Sequence, residues 1–225
     1  MSQKKRHPRA IFLALWLIAS WADPACLWAQ SPTEQVKATL ARVVQILNDP
    51  KLEGAAKKKD RWEPIRQTIF SCFDFAEMAK RSLGNHWHGY AARHQELVAP
   101  FANLVQDSYL RQVESFNVDR VLYSRERMDQ GFAEVNTKLI ARVGEELSIG
   151  YRLHLVTAEW KIYDVLIDRV SLVNYYRSQF HRVLSAGSFD DLLARLRDRR
   201  AREAGSEELR LRRTIPYLLL SIRLR

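Results

Sequence analysis

The chain has 225 residues, 47% of them apolar and 28% charged, proportions that exclude collagen-like, disordered and polytopic membrane proteins. Two cysteines, Cys26 and Cys72, cannot frame a disulfide scaffold, and no Cys/His spacing matches a structural zinc site. The net charge of +10 sits at the ends, in Lys4, Lys5, Arg6 and Arg9 and in the Arg-rich stretch 197–225. The body is nearly neutral, so composition gives no case for nucleic acid.

Residues 1–29 have the order of an export signal: a positive stretch to Arg9, an apolar run from Ala10 to Ala22, then a Pro-containing segment ending at Ala29. The run of about 13 residues falls short of the roughly 20 that span a bilayer, so the sequence predicts a cleaved signal rather than a retained anchor. Asp23-Pro24-Ala25-Cys26 does not fit a lipoprotein signal, because Asp stands where an aliphatic residue is expected. Cys72 is then the one cysteine of the mature chain, expected as a small buried apolar side chain beside Phe70 and Phe73.

Val36, Leu40, Val43, Val44 and Leu47 recur at helical spacing and Asn48-Asp49-Pro50 stops the run, which predicts a helix over 34–48. Residues 51–60 read as a charged linker. A second helix is expected from about Asp60 to Ser71, with Pro64 in its first turn. Phe73 to Ala79 opens a third, in which Asp74 can cap the free amides and which Gly84 ends. From His94 to Phe116, Leu97, Phe101, Leu104, Val105, Tyr109 and Val113 trace a long apolar stripe, kinked or started at Pro100.

The pattern changes after residue 120. Val121 to Ser124, Phe132 to Val143, Leu147 to Thr157 and Trp160 to Asp168 are rich in β-branched and aromatic residues. In the middle two, Val135, Thr137, Leu139, Ala141 and Val143, then Leu147, Ile149, Tyr151, Leu153 and Leu155, share one face each. Gly144-Glu145-Glu146 and Ala158-Glu159 suit hairpin turns. Helix resumes at Leu172 to Leu184 and Ser188 to Arg202. The fold class is α+β: helices, then a four-stranded antiparallel sheet with helices packed on one face. Domain boundaries follow as a signal over 1–29, one domain over 30–200, and an Arg-rich tail over 201–225, expected to be poorly ordered.

Phe73-Asp74-Phe75 with Met78-Ala79, Leu83-Gly84 and Trp87, then Phe101 and Tyr109, then Trp160-Lys161-Ile162-Tyr163-Asp164-Val165, then Val170 to Arg177 with Gln179-Phe180, resemble the MlaC family, also called the toluene-tolerance auxiliary family. The similarity covers roughly residues 34–197. Asp168-Arg169 departs from it, standing where the family commonly has Glu-Gly, and the Arg-rich extension has no counterpart in it. The resemblance implies a periplasmic monomer whose curved sheet and helices enclose an apolar pocket for phospholipid tails. Its partners would be an inner-membrane ABC transporter bearing an MCE protein and an outer-membrane lipoprotein complex. A member linked to hopanoid lipids leaves a hopanoid-like cargo open. No cofactor, metal or catalytic residue is implied, the lipid being cargo.

The residues are compatible with this. An acyl chain gains about 0.8 kcal/mol per buried methylene, so a carrier needs a continuous apolar interior. Phe101, Leu104, Val105 and Tyr109 on the long helix can line one with Val135, Leu147, Ile149, Tyr151, Leu153, Tyr163 and Val165 on the strands. Met78, Trp87, Val173, Tyr176 and Phe180, from the family blocks, complete the candidate lipid-binding set. The same side chains can equally close-pack as an ordinary core. Arg177 can meet a phosphate or form an ion pair, for example with Asp164. His86, His88 and His94 lack a completing carboxylate or thiolate and read as solvent-facing. Asp164 and Asp168, at even spacing on one strand, give an alternative: a small α+β enzyme with acid/base chemistry in a cone-shaped pocket.

Overall fold

The computed structural model describes residues 31–47, 49–52, 58–115, 118–141 and 144–205. The expected signal and the end of the Arg-rich tail, 206–225, lie outside the described residues. Helix α1 spans Pro32–Leu47, α2 Lys58–Phe70, α3 Phe75–Leu83, α4 Trp87–Tyr90 and α5 His94–Ser115. Strands β1 (Val118–Asp129), β2 (Phe132–Ala141), β3 (Glu146–Val156), β4 (Glu159–Ile167) and β5 (Val170–Ser171) follow, then α6 (Leu172–Ala186) and α7 (Phe189–Gly205).

Local chemistry sets the helix ends. The Asp74 carboxylate accepts the Glu77 amide at 2.8 Å and starts α3, while Gly84 stops it at φ 55°. A Cβ on Gly84 would lie 3.0 Å from the Arg177 side chain, so the turn needs glycine on two counts. Helix α2 begins earlier than expected, which puts Pro64 inside it rather than in the first turn, and α5 runs through Pro100 instead of starting there. Each proline leaves the carbonyl four residues back without its helical donor. Helix α7 continues to Gly205, past the expected domain boundary at 200.

The strands pair in sequence order as an antiparallel meander. Strand β1 is three times the expected length. Its Asp119, Arg120, Arg125, Glu126, Arg127 and Asp129 hide it from hydropathy, because it is an edge strand with most side chains in water. β5 adds a two-residue fifth strand that hands the chain directly to α6. The β1–β2, β3–β4 and β4–β5 links are tight turns whose central pairs, Gln130-Gly131, Thr157-Ala158 and Asp168-Arg169, have both φ angles positive, the backbone that two-residue hairpins require. Asp168 is therefore a turn residue, not a member of β4, and shares no face with Asp164.

Apolar side chains gather in distinct clusters. One lies within the helical layer, where Met78, Leu97, Phe101, Leu104, Tyr176, Phe180 and Leu192 are completely buried. The others lie on the face of the sheet that α1 crosses.

Arg169 holds φ 70° with a full side chain, a conformation that costs roughly 1–2 kcal/mol outside glycine, partly offset by glycine's extra unfolded-state entropy. Arg169→Gly, which restores the pattern of the resembled family, should raise stability by about 0.5–1 kcal/mol in urea denaturation.

Candidate functional site

The alternation of β2 and β3 sends every second residue to the face that α1 covers. Register aligns these residues in rows across the sheet: Tyr123, Thr137, Ile149 and Ile167, then Glu126, Val135, Tyr151 and Val165, then Met128, Ala133, Leu153 and Ile162. Helix α1 closes the lower rows with Val36 and Leu40. It is pinned there by the Thr33 amide donating to Glu126 at 2.8 Å and by Gln35, whose side-chain amide bonds the Trp160 backbone. Thr39 Oγ1 lies 3.2 Å from the half-buried Cys72 Sγ.

The upper rows form a separate apolar patch. Leu139, Ala141 and Leu147 are buried, with Val118, Val121, Ile149 and Ile167 around them only partly so. Tyr151 sits where this patch meets the α1-covered rows. Its hydroxyl bonds Thr137, whose own hydroxyl donates to the Ile149 carbonyl at 3.2 Å. Burial drives the Tyr151 phenol well above the ordinary tyrosine range. Tyr123, half-buried across from Thr137, is also raised, first by burial and then by the nearby Glu34 carboxylate.

The structure divides the expected lining in two. Val135, Leu147, Ile149, Tyr151, Leu153 and Val165 come together on the inner face of the sheet. Met78, Phe101, Leu104, Val105, Val173, Tyr176 and Phe180 instead form the helical core, with Trp87 packed against it. There Phe101 meets Tyr176 and Phe180 edge-on at centroid distances of 5.0 and 5.5 Å. The side chain of Tyr109 lies outside the described part of the protein. Leu155, expected on the inner face, is 42% exposed at the hairpin end.

Tyr163 points the other way. The register shift opposite Arg152 and Leu153 moves it to the outer face. There the Arg81 guanidinium lies 4.1 Å from its ring centre, and it meets His154 and Phe132 edge-on. With Arg127, Glu134 and Arg152 it borders a shallow depression of about 180 Å³. Sequence reasoning missed Val118, Val121, Tyr123 and Ile167 as inner-face residues. Ile167 was legible from alternation, whereas the other three sit in the charged edge strand.

The polar residues singled out from sequence have structural partners. Asp164, 2% exposed, accepts Ser171 Oγ at 2.7 Å, the Val173 amide at 3.0 Å and Arg152 at 3.3 Å. Arg177 does not pair with it but donates to the Arg81 carbonyl at 2.9 Å. His86, His88 and His94 do not converge: His94 packs on Trp87, and His86 meets His181. Among the described residues, no group of three or more His, Cys, Asp or Glu is placed to hold a metal.

An open antiparallel sheet with an apolar inner face, set beside a solid helical layer, is the frame of a binding protein. The sequence matches the MlaC protein family over residues 37–198, and the chain belongs to that family. Among solved structures it is similar to the phospholipid-binding protein from Ralstonia solanacearum in complex with a phospholipid. The identity is 25% and the TM-score 0.64, over 76% of this chain and 97% of that one. No curated protein matches the sequence.

Asp164→Asn should lower stability by about 2–4 kcal/mol in chemical denaturation, mostly through the buried bonds to Ser171 and Val173, since Arg152 is partly solvated. The raised Tyr151 phenol gives a second expectation. A folded-state pKa above the unfolded one contributes stability that is complete below about pH 10 and is lost as pH rises from there. Tyr151→Phe should flatten that alkaline loss in melting curves taken across the range; equal slopes in both proteins would refute the assignment.

Proposed function

We propose that this chain is a periplasmic carrier of phospholipid or a related lipid, whose acyl chains lie against the inner face of the sheet. The observation that carries the reading is the patch of Val118, Val121, Leu139, Leu147, Ile149 and Ile167, which the described helices leave partly open. Family membership and the phospholipid held by the Ralstonia protein support it. About 0.8 kcal/mol per buried methylene makes even half of an acyl chain worth several kcal/mol, so tail burial supplies the affinity and the headgroup adds little.

In this reading residues 1–29 direct export and are removed. No described helix is long and apolar enough to cross a membrane. The carrier takes lipid from one membrane complex and yields it to another, in the family's pattern an outer-membrane lipoprotein complex and an inner-membrane ABC transporter with an MCE protein. The acid/base alternative loses its basis, because Asp164 is fully engaged and Asp168 sits in a turn.

Native mass spectrometry of protein purified without harsh detergent should show a lipid adduct. Absence of an adduct, together with failure to take up fluorescent phospholipid, would overturn the proposal. Ile149→Asp should stay folded and lose the lipid. Leu104→Asp, by contrast, should unfold the helical core, costing more than about 4 kcal/mol. Full lipid loading of folded Ile149→Asp would place the tails elsewhere.

A further inference from the structure

Helix α1 is lightly fastened to the sheet it covers. Of its 16 residues, Pro32, Val36 and Val43 are buried, whereas α6, one residue shorter, buries Leu172, Val173, Tyr176, Gln179, Phe180, Val183 and Leu184. Its described hydrogen bonds to the strands sit in its first turn, from the Thr33 amide to the exposed Glu126 carboxylate and from the Gln35 side chain to the Trp160 backbone. The Trp160 side chain, in the same apolar cluster as Val36, is 3% exposed. Its indole N–H finds no acceptor among the described residues, so the covered state leaves a buried donor uncompensated.

The surface under α1 continues the open patch. Ile149 and Ile167 border both clusters, and one apolar strip runs along β3 from Leu147 through Ile149 and Tyr151 to Leu153. At about 3.3 Å per residue, the open end from Leu147 to Ile149 is about 7 Å long and the whole strip about 20 Å. A long acyl chain lies lengthwise only on the second.

We propose that the rows under α1 are a further subsite, taking the distal part of a long acyl chain, and that α1 is displaced when this subsite fills. The inference rests on the carrier reading above. A chain lying on Ala133, Val135, Tyr151 and Leu153 replaces Val36 and Leu40 with more methylenes than those two side chains carry, and apolar burial favours the exchange. Raising α1 also returns the Trp160 N–H to water. Lipid thus binds the raised form better than the covered one and shifts the population toward it.

The test uses a pairing already in the molecule. Thr39 Oγ1 lies 3.2 Å from Cys72 Sγ, and the Cys72 carbonyl accepts the Ile162 amide of β4 at 2.7 Å. Thr39→Cys in the mature chain sets a second sulfur against the native one, so oxidation ties α1 to β4 and dithiothreitol frees it. Thiol titration reports the cross-link, and Thr39→Cys/Cys72→Ser, which cannot form it, is the control. Loading is followed by native mass spectrometry, with dihexanoyl phosphatidylglycerol in solution or the dipalmitoyl lipid supplied from vesicles. Each methylene denied burial weakens binding about fourfold, so oxidation should lower the apparent affinity for the dipalmitoyl lipid at least about tenfold. The dihexanoyl lipid, short enough for the open end, should bind both states alike, and the control should not respond to oxidation. In the unaltered protein, amide hydrogens of α1 should exchange faster with dipalmitoyl lipid bound than without it. Equal dipalmitoyl affinity in the oxidised and reduced states would overturn the proposal, as would equal losses for the two lipids. Unchanged or slower exchange in α1 on loading would do so whether or not the disulfide forms. Reduced protein that takes up neither lipid would instead overturn the carrier reading, and this inference with it.

Discussion

One buried carboxylate joins the two layers of this protein. Asp164 leaves the plane of β4, takes the hydroxyl and amide that open α6, and reaches Arg152 on the neighbouring strand. Ser171 in turn caps α6 by accepting the Asn174 amide at 3.0 Å. The direction in which α6 leaves the sheet is thus set by charge-assisted bonds rather than by apolar contact alone. Since α6 supplies Val173, Tyr176, Phe180 and Val183 to the helical core, the placing of α3, α5 and α7 follows from it. A solid helical layer is what allows the sheet's other face to be left incompletely covered without loss of the fold.

That separation of tasks explains why apolar periodicity was an ambiguous guide. Phe101 and Leu104 on α5 have the same spacing and composition whether they line a hollow or fill a core. In the structure they fill one, meeting aromatic rings from α6. The inner-face residues of β2 and β3 were legible because burial on one side and water on the other enforce strict alternation. Tyr163 was not, because the register slip beside Arg152 reverses its direction and no residue type announces it. Strand β1 escaped for a different reason: its sequence serves the solvent, and only pairing with β2 makes it extended. The capping by Asp74 and the stop at Gly84 were readable because each depends on a few neighbouring atoms. The partner of His86 was not, as it comes from another helix.

The three two-residue turns show how shape can persist under unfavourable local chemistry. Thr157, Ala158, Asp168 and Arg169 all adopt left-handed backbone that glycine would take at less cost. Strand pairing on either side overrides that preference, which keeps β2, β3 and β4 in fixed rows and the inner-face side chains in register.

The charged edge strand has a consequence for life among many copies. At the opposite border the two-residue β5 turns at once into α6, whereas β1 presents twelve residues whose outer main-chain groups have no neighbouring strand among the described residues. A flat, greasy border of that length would invite a second molecule to continue the ladder. Arg120, Arg125 and Arg127 make such stacking in register repulsive, and the irregularities in its pairing with β2 bend the border away from flatness. Edge-to-edge pairing between copies is thereby disfavoured.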